Sequence, residues 1–73
     1  MEYTKKIVYQ SNYWYNDGLR KAKIRDMSGA IMSLRKSLQF NRENIAARNL
    51  LGLVYYGIGE VPELSLIHIS EPT

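Results

Sequence analysis

The sequence predicts an all-α protein built from antiparallel helical hairpins. First, Gly18 and Gly52 stand 34 residues apart, and at the same offset Leu19 matches Leu53, Ile24 matches Ile58 and acidic Asp26 matches acidic Glu60. A fixed period of this size is the mark of a stacked helix–turn–helix unit. Second, Met27, Ala30, Ile31, Leu34 and Leu38 recur at three- and four-residue steps, which gives one apolar stripe along a helix. Third, residues suited to helix ends, Asp26, Asn41, Asn44, Gly57 and Gly59, fall between the periodic stretches.

Residues 1–10 lead into the first unit. Thr4 is placed to cap a helix, and Ile7, Val8, Ser11 and Tyr15 lie on one helical side, so the first helix is expected from near Thr4 to about Ile24. Arg25 and Asp26 make the turn. The Asp26 carboxylate suits the N-cap of the second helix, where it accepts from free backbone N–H groups. Arg35 and Lys36 fall opposite the apolar stripe of that helix, and small Gly29 and Ala30 allow a close crossing near Gly18. Asn41 is positioned to cap the third helix, with Asn44 as the alternative start. Ile45, Ala47, Leu50, Leu51, Val54, Tyr55 and Ile58 make that helix apolar over much of its surface, as expected of one lying between neighbours. Gly57 and Gly59 end it, Glu60 opens the next turn, and Pro62 fits the first turn of a fourth helix.

These residues resemble the tetratricopeptide repeat family. Trp14-Tyr15-Asn16-Asp17-Gly18 stands where the family's repeat opens with Trp-x-x-Leu-Gly, and Gly29-Ala30-Ile31 stands at the small residue of its second helix. Leu50-Leu51-Gly52-Leu53-Val54-Tyr55-Tyr56 reads almost as its first-helix consensus. The resemblance spans about residues 11–63, one repeat (11–44) and the first helix and turn of the next (45–63), about one and a half repeats of a TPR-type α-solenoid. Asp17 replaces the family's leucine, Lys21 its tyrosine, and Arg42 its proline after the cap.

The resemblance implies a protein-binding scaffold and not an enzyme. It places Asn12, Tyr15, Leu19 and Lys23 from the first unit, and Asn49, Leu53 and Tyr56 from the second, on the concave face that receives a partner. Trp14, Ala30, Leu34, Leu51, Gly52 and Tyr55 are then expected at interfaces between helices. The family's clamp for an acidic C-terminal tail uses lysine and asparagine where this chain has Tyr15 and Leu19, and asparagine where it has Leu53. The resemblance therefore implies docking of an extended or helical peptide by aromatic and apolar anchors instead.

The run from Leu64 to Thr73 resembles an in-frame translation of the transposase mosaic-end adaptor used to prepare sequencing libraries. On that reading the tail is non-native, and the natural protein is expected to continue beyond Glu63. Leu64, Leu66, Ile67 and Ile69 are then expected to cover part of the third helix by accident, as a short helix. Ser65, His68 and Glu71 offer triad residue types in this tail, but proximity in sequence does not supply a triad's geometry.

Composition narrows the remaining functions. The chain has 73 residues, no cysteine and a net charge of +3. A chain this short buries only about 60% of its unfolded surface and is marginal without staples or partners. Outside the tail there is no Cys or His for a metal, and the glycine pair at 57 and 59 fits no phosphate-loop fingerprint. The carboxylates are scattered, with no pair set for acid–base work, so neither catalysis nor a cofactor is expected. No apolar run approaches the roughly 20 residues needed to span a bilayer, and Lys5-Lys6 precede too short a run for a secretory signal, which points to the cytoplasm. Arg20, Lys21, Lys23, Arg25, Arg35, Lys36, Arg42 and Arg48 face few acids, which supports an alternative: a basic helical module binding nucleic acid or an anionic membrane surface. Tyr3, Tyr9, Tyr13, Trp14, Tyr15, Tyr55 and Tyr56 fit either reading, as base-stacking platforms or as filling between hairpins.

Overall fold

The computed structural model describes residues 2–57 and 66–69. The described residues form three helices and no strand: α1 (Glu2–Lys23), α2 (Met27–Phe40) and α3 (Ile45–Tyr55). Helix α1 runs from Glu2, so Thr4 lies within the helix and not at its start. The expected roles of Ile58, Gly59, Glu60 and Pro62 lie outside the described residues.

Helices α1 and α2 form an antiparallel hairpin. Ser11 meets Ser37 at one end, and Gly18 lies against Ala30 and Leu34 nearer the turn. A Cβ added at Gly18 would sit 2.7 Å from Leu34 Cγ, so the missing side chain is what lets the helices approach this closely.

The α1–α2 turn is compact and capped on both sides. Arg25 N–H donates to the Ala22 carbonyl and Asp26 N–H to the Lys21 carbonyl, at 3.1 and 2.8 Å. These two bonds close α1 in a Schellman arrangement, with Arg25 at φ +69°, a position that favours glycine. Asp26 then caps α2, its carboxylate accepting from Gly29 N–H at 3.1 Å. The same carboxylate fills the space beside Gly29, so that glycine serves the cap and not the helix crossing.

Between α2 and α3, the two candidate caps divide the work. Asn41 ends α2 and turns the chain, its side-chain oxygen accepting from Glu43 N–H at 3.2 Å. Asn44 caps α3, accepting from Ala47 N–H at 3.1 Å. Helix α3 ends at Tyr55, and just past its Tyr56 cap Gly57 takes φ +66°, the left-handed conformation expected of a glycine stop.

The core is a cluster of Tyr15, Leu19, Ala22, Ala30, Leu34, Ala47, Leu50 and Val54, drawn from all three helices. Beside it lies a buried polar layer. Ser11 Oγ donates to the Ser37 carbonyl at 2.9 Å, and Ser37 Oγ donates back to the Ser11 carbonyl at 2.7 Å. Asn44 Nδ2 donates to Ser11 Oγ at 2.9 Å and reaches Asn12 Oδ1 at 3.2 Å. One amide thus caps α3 and ties it to the α1–α2 hairpin. Every buried side-chain polar atom among the described residues has a partner, so this layer carries no unmet desolvation cost.

Candidate functional site

The residues expected on a partner-binding face divide into two rows, one on each of two helices. On α1, Asn12, Tyr15, Leu19 and Lys23 follow helical spacing, and so do Asn49 and Leu53 on α3, with Tyr56 at its C-cap. The structure puts these residues in three different situations. Tyr15 and Leu19 are 1% and 0% exposed and belong to the core, so neither is open to a partner. Burial pushes the Tyr15 hydroxyl above its ordinary pKa. Asn12 and Leu53 are half-buried, and Asn12 accepts from the Asn44 amide. Lys23, Asn49 and Tyr56 are exposed, with Tyr56 at 85%.

The residues expected to fill helix interfaces also divide. Ala30 and Leu34 are buried as expected. Leu51 is half-buried, but Tyr55 is 58% exposed and a Cβ at Gly52 would meet no described atom within 4 Å. Ile45 is exposed too. This face of α3 has no neighbour among the described residues, whereas the equivalent position on α1, Gly18, is covered by α2. Trp14 is half-buried at the hairpin surface. The Tyr13 ring meets it edge-on with centroids 5.3 Å apart, and the Lys36 ammonium lies 4.4 Å from its ring centroid.

The sequence-level rows omit a residue that proves central. Asn16 is 4% exposed, and its side-chain amide pairs with the backbone of the 66–69 segment. Asn16 Nδ2 donates to the Ile67 carbonyl at 2.9 Å, and Ile67 N–H donates to Asn16 Oδ1 at 2.9 Å. The segment is not the short helix expected for it. A residue presents its own N–H and C=O together on one side when its backbone is extended, as in a hydrogen-bonded strand pair. Burial alternates along it to match: Ile67 and Ile69 are half-buried, while Leu66 and His68 are exposed. Ile67 packs against the core cluster. Helical spacing could have pointed to Asn16, which lies four residues after Asn12 and three before Leu19 on the same side of α1. Asparagine is also a weak helix former in a helix interior, a hint that its side chain serves another purpose.

The two departures from the repeat pattern on α1 act together. Lys21 Nζ lies 2.8 Å from Asp17 Oδ2 and 3.2 Å from Ser33 Oγ, and the Ser33 hydroxyl donates to the same Asp17 oxygen. Burial pulls the Asp17 carboxyl upward, but the hydrogen bonds from Lys21 and Ser33 and the nearby Lys21 and Arg20 charges outweigh it and hold the pKa below its ordinary value. Lys21 is raised, chiefly by its bond to Asp17. This polar bridge joins α1 to α2 and holds one charge of the basic cluster. Arg48 is also engaged, donating to the Arg42 carbonyl at 3.0 Å.

No group of three or more His, Cys, Asp or Glu residues that could hold a metal ion occurs among the described residues. No described helix is long and apolar enough to cross a membrane. Comparison of the chain with protein-family models, with curated proteins and with solved structures finds no match to any of them.

Proposed function

We propose that the chain is a non-enzymatic protein–protein interaction scaffold of tetratricopeptide-repeat type, working in the cytoplasm and binding a partner peptide or domain. The observation that carries this reading is the 66–69 segment seated on α1, held through Asn16 on the side that the repeat resemblance assigns to partners. The 34-residue register, the antiparallel α1–α2 hairpin and the Gly18 close approach support the repeat architecture. The accessible part of the surface is Asn12, Lys23, Asn49, Leu53 and Tyr56, with Tyr15 and Leu19 forming the packed layer beneath.

The nucleic-acid or anionic-membrane alternative is weaker. Lys21 is bonded to Asp17 and Ser33, Lys36 stacks on Trp14, and Arg48 bonds the Arg42 carbonyl, so three of the eight clustered cations serve separate local contacts.

The test uses a partner captured by the full-length protein and then purified, with affinity measured for Tyr56→Ala and Leu53→Ala. Truncating an anchor costs about 2 kcal/mol or more of binding, a loss of roughly thirtyfold, with helicity unchanged. Normal folding and normal affinity in both variants would overturn the assignment of the partner face.

A further inference from the structure

We propose that Asn16 is a two-point backbone clamp for an extended peptide, occupied here in cis by Ile67. The inference rests on the protein-binding reading and names the ligand class: an extended segment with aliphatic residues at alternate positions, of which residues 66–69 are a stand-in.

The geometry carries the argument. The Asn16 amide has an NH2 donor on one side and a carbonyl acceptor on the other, and both ends engage the same residue of the segment, at 2.9 Å each. A side-chain amide that matches both backbone groups of one residue imitates a neighbouring strand, the way an added strand is recognised at a sheet edge. It does so from a helix, and its 4% exposure means that these bonds are shielded from water. Removing the segment would take away both of these bonds and open the amide to water, where a peptide in trans can reach it.

Selectivity in this arrangement comes from shape. The clamp touches only backbone atoms, so it asks for a residue with an N–H in extended conformation and excludes proline. Ile67 packs on the core cluster and Ile69 is half-buried, whereas Leu66 and His68 point outward. The ligand pattern is therefore aliphatic, any, aliphatic, with the clamp on the first aliphatic residue. Such a site needs no selected sequence, which accommodates the resemblance of residues 64–73 to a translated adaptor. A partner peptide in trans competes with this segment for the same amide.

The experiment uses the full chain and a fluorescein-labelled, end-capped peptide with the sequence of residues 64–70, read by fluorescence anisotropy. Ile67→Pro removes the N–H that Asn16 accepts and releases the site from its own segment. The Ile67→Pro chain should bind the peptide about tenfold or more tightly than the unaltered chain, since the loss of the Ile67 N–H bond, with the bulk of the proline ring at the clamp, weakens the competitor by about that factor. Adding Asn16→Asp, which keeps the shape and removes the donor, or Asn16→Ala should undo the gain by a similar factor. The same peptide N-methylated at its Ile67-equivalent residue should bind no better to the Ile67→Pro chain than to the double variants. Hydrogen exchange on the unaltered sequence gives a readout that does not depend on the proline variant folding: the Ile67 amide should be protected, and that protection should vanish in Asn16→Ala, which removes the accepting oxygen. Peptide binding that is indifferent to Asn16 would overturn the clamp while leaving the partner face intact. No peptide binding by a folded Ile67→Pro chain, or an unprotected Ile67 amide, would also overturn it. In either case the Tyr56 and Leu53 variants still decide the broader reading separately.

Discussion

Gly18 and Gly52 occupy equivalent places in the 34-residue register, yet the structure gives them opposite responses to the same substitution. At Gly18, an alanine Cβ would lie 2.7 Å from Leu34 Cγ, 2.9 Å from Leu34 Cδ2 and 3.3 Å from the Ala30 carbonyl oxygen. Favourable carbon–carbon contacts sit near 3.5–4.0 Å, so Leu34 would have to retreat by about 1 Å. Leu34 is fully buried and the clash is at its branch point, so swinging the tip aside does not relieve it. Overpacking of this kind costs about 1–3 kcal/mol, and alanine's helix propensity returns about 1 kcal/mol. With the clash at the upper end, Gly18→Ala should lose about 1–2 kcal/mol net. At Gly52 no described atom lies within 4 Å, so only the propensity term acts and Gly52→Ala should gain about 1 kcal/mol. Melting curves by circular dichroism at 222 nm, with urea titrations beside them, would read both. Each kcal/mol corresponds to about 4–8 °C in Tm for a chain of this size. A stabilising Gly18→Ala would refute the close approach of α1 and α2. A destabilising Gly52→Ala would refute the open face on α3.

Three further outcomes follow from the caps and the polar bridges. Arg25 holds a left-handed conformation at φ +69°, and Arg25→Gly should raise stability by about 0.5–1 kcal/mol in the same melts, the steric relief exceeding glycine's entropic cost. Asn44→Ala removes both the α3 cap and the donor to Ser11 and should cost about 2–4 kcal/mol, whereas Asn44→Ser keeps a capping oxygen and should cost less. The Asp17 carboxyl is held below its unfolded pKa, so its contribution is present above the unfolded value and is lost as pH falls through the folded one. Tm measured from about pH 5 down to pH 2 should therefore fall more for the unaltered chain than for Asp17→Asn, and matching profiles would show that the bridge to Lys21 and Ser33 adds nothing.

The local signals were legible in the sequence because their physics is local. The Asp26 cap, the Gly57 stop and the apolar stripe through Ala30 and Leu34 depend on residues within a turn or two of one another, and each appears where spacing put it. Asn41 and Asn44 were both eligible caps by type. The choice between them was made by tertiary structure, because only Asn44 can also reach Ser11 and Ser37 across the helices. Burial around the helices was harder to read, since a row of residues at helical spacing has the same pattern whether or not a neighbour lies over it. Tyr15 and Leu19 look like groove residues in the repeat register but are core here, within a cluster that takes in α3 and is flanked by Ile67. Tyr55 and Gly52 look like interface residues but face no described neighbour. Asn16 was missed because its role depends on a backbone 51 residues away, and nothing in a single sequence marks which distant N–H and C=O an amide will meet. The same dependence explains Asp17 and Lys21. Read singly they break an apolar consensus, but Ser33, supplied by the other helix at the right height, turns the pair into a satisfied cross-link. A polar residue in an apolar register is thus informative only together with the partner that answers it, and at Asn16 that partner is a segment another peptide could replace.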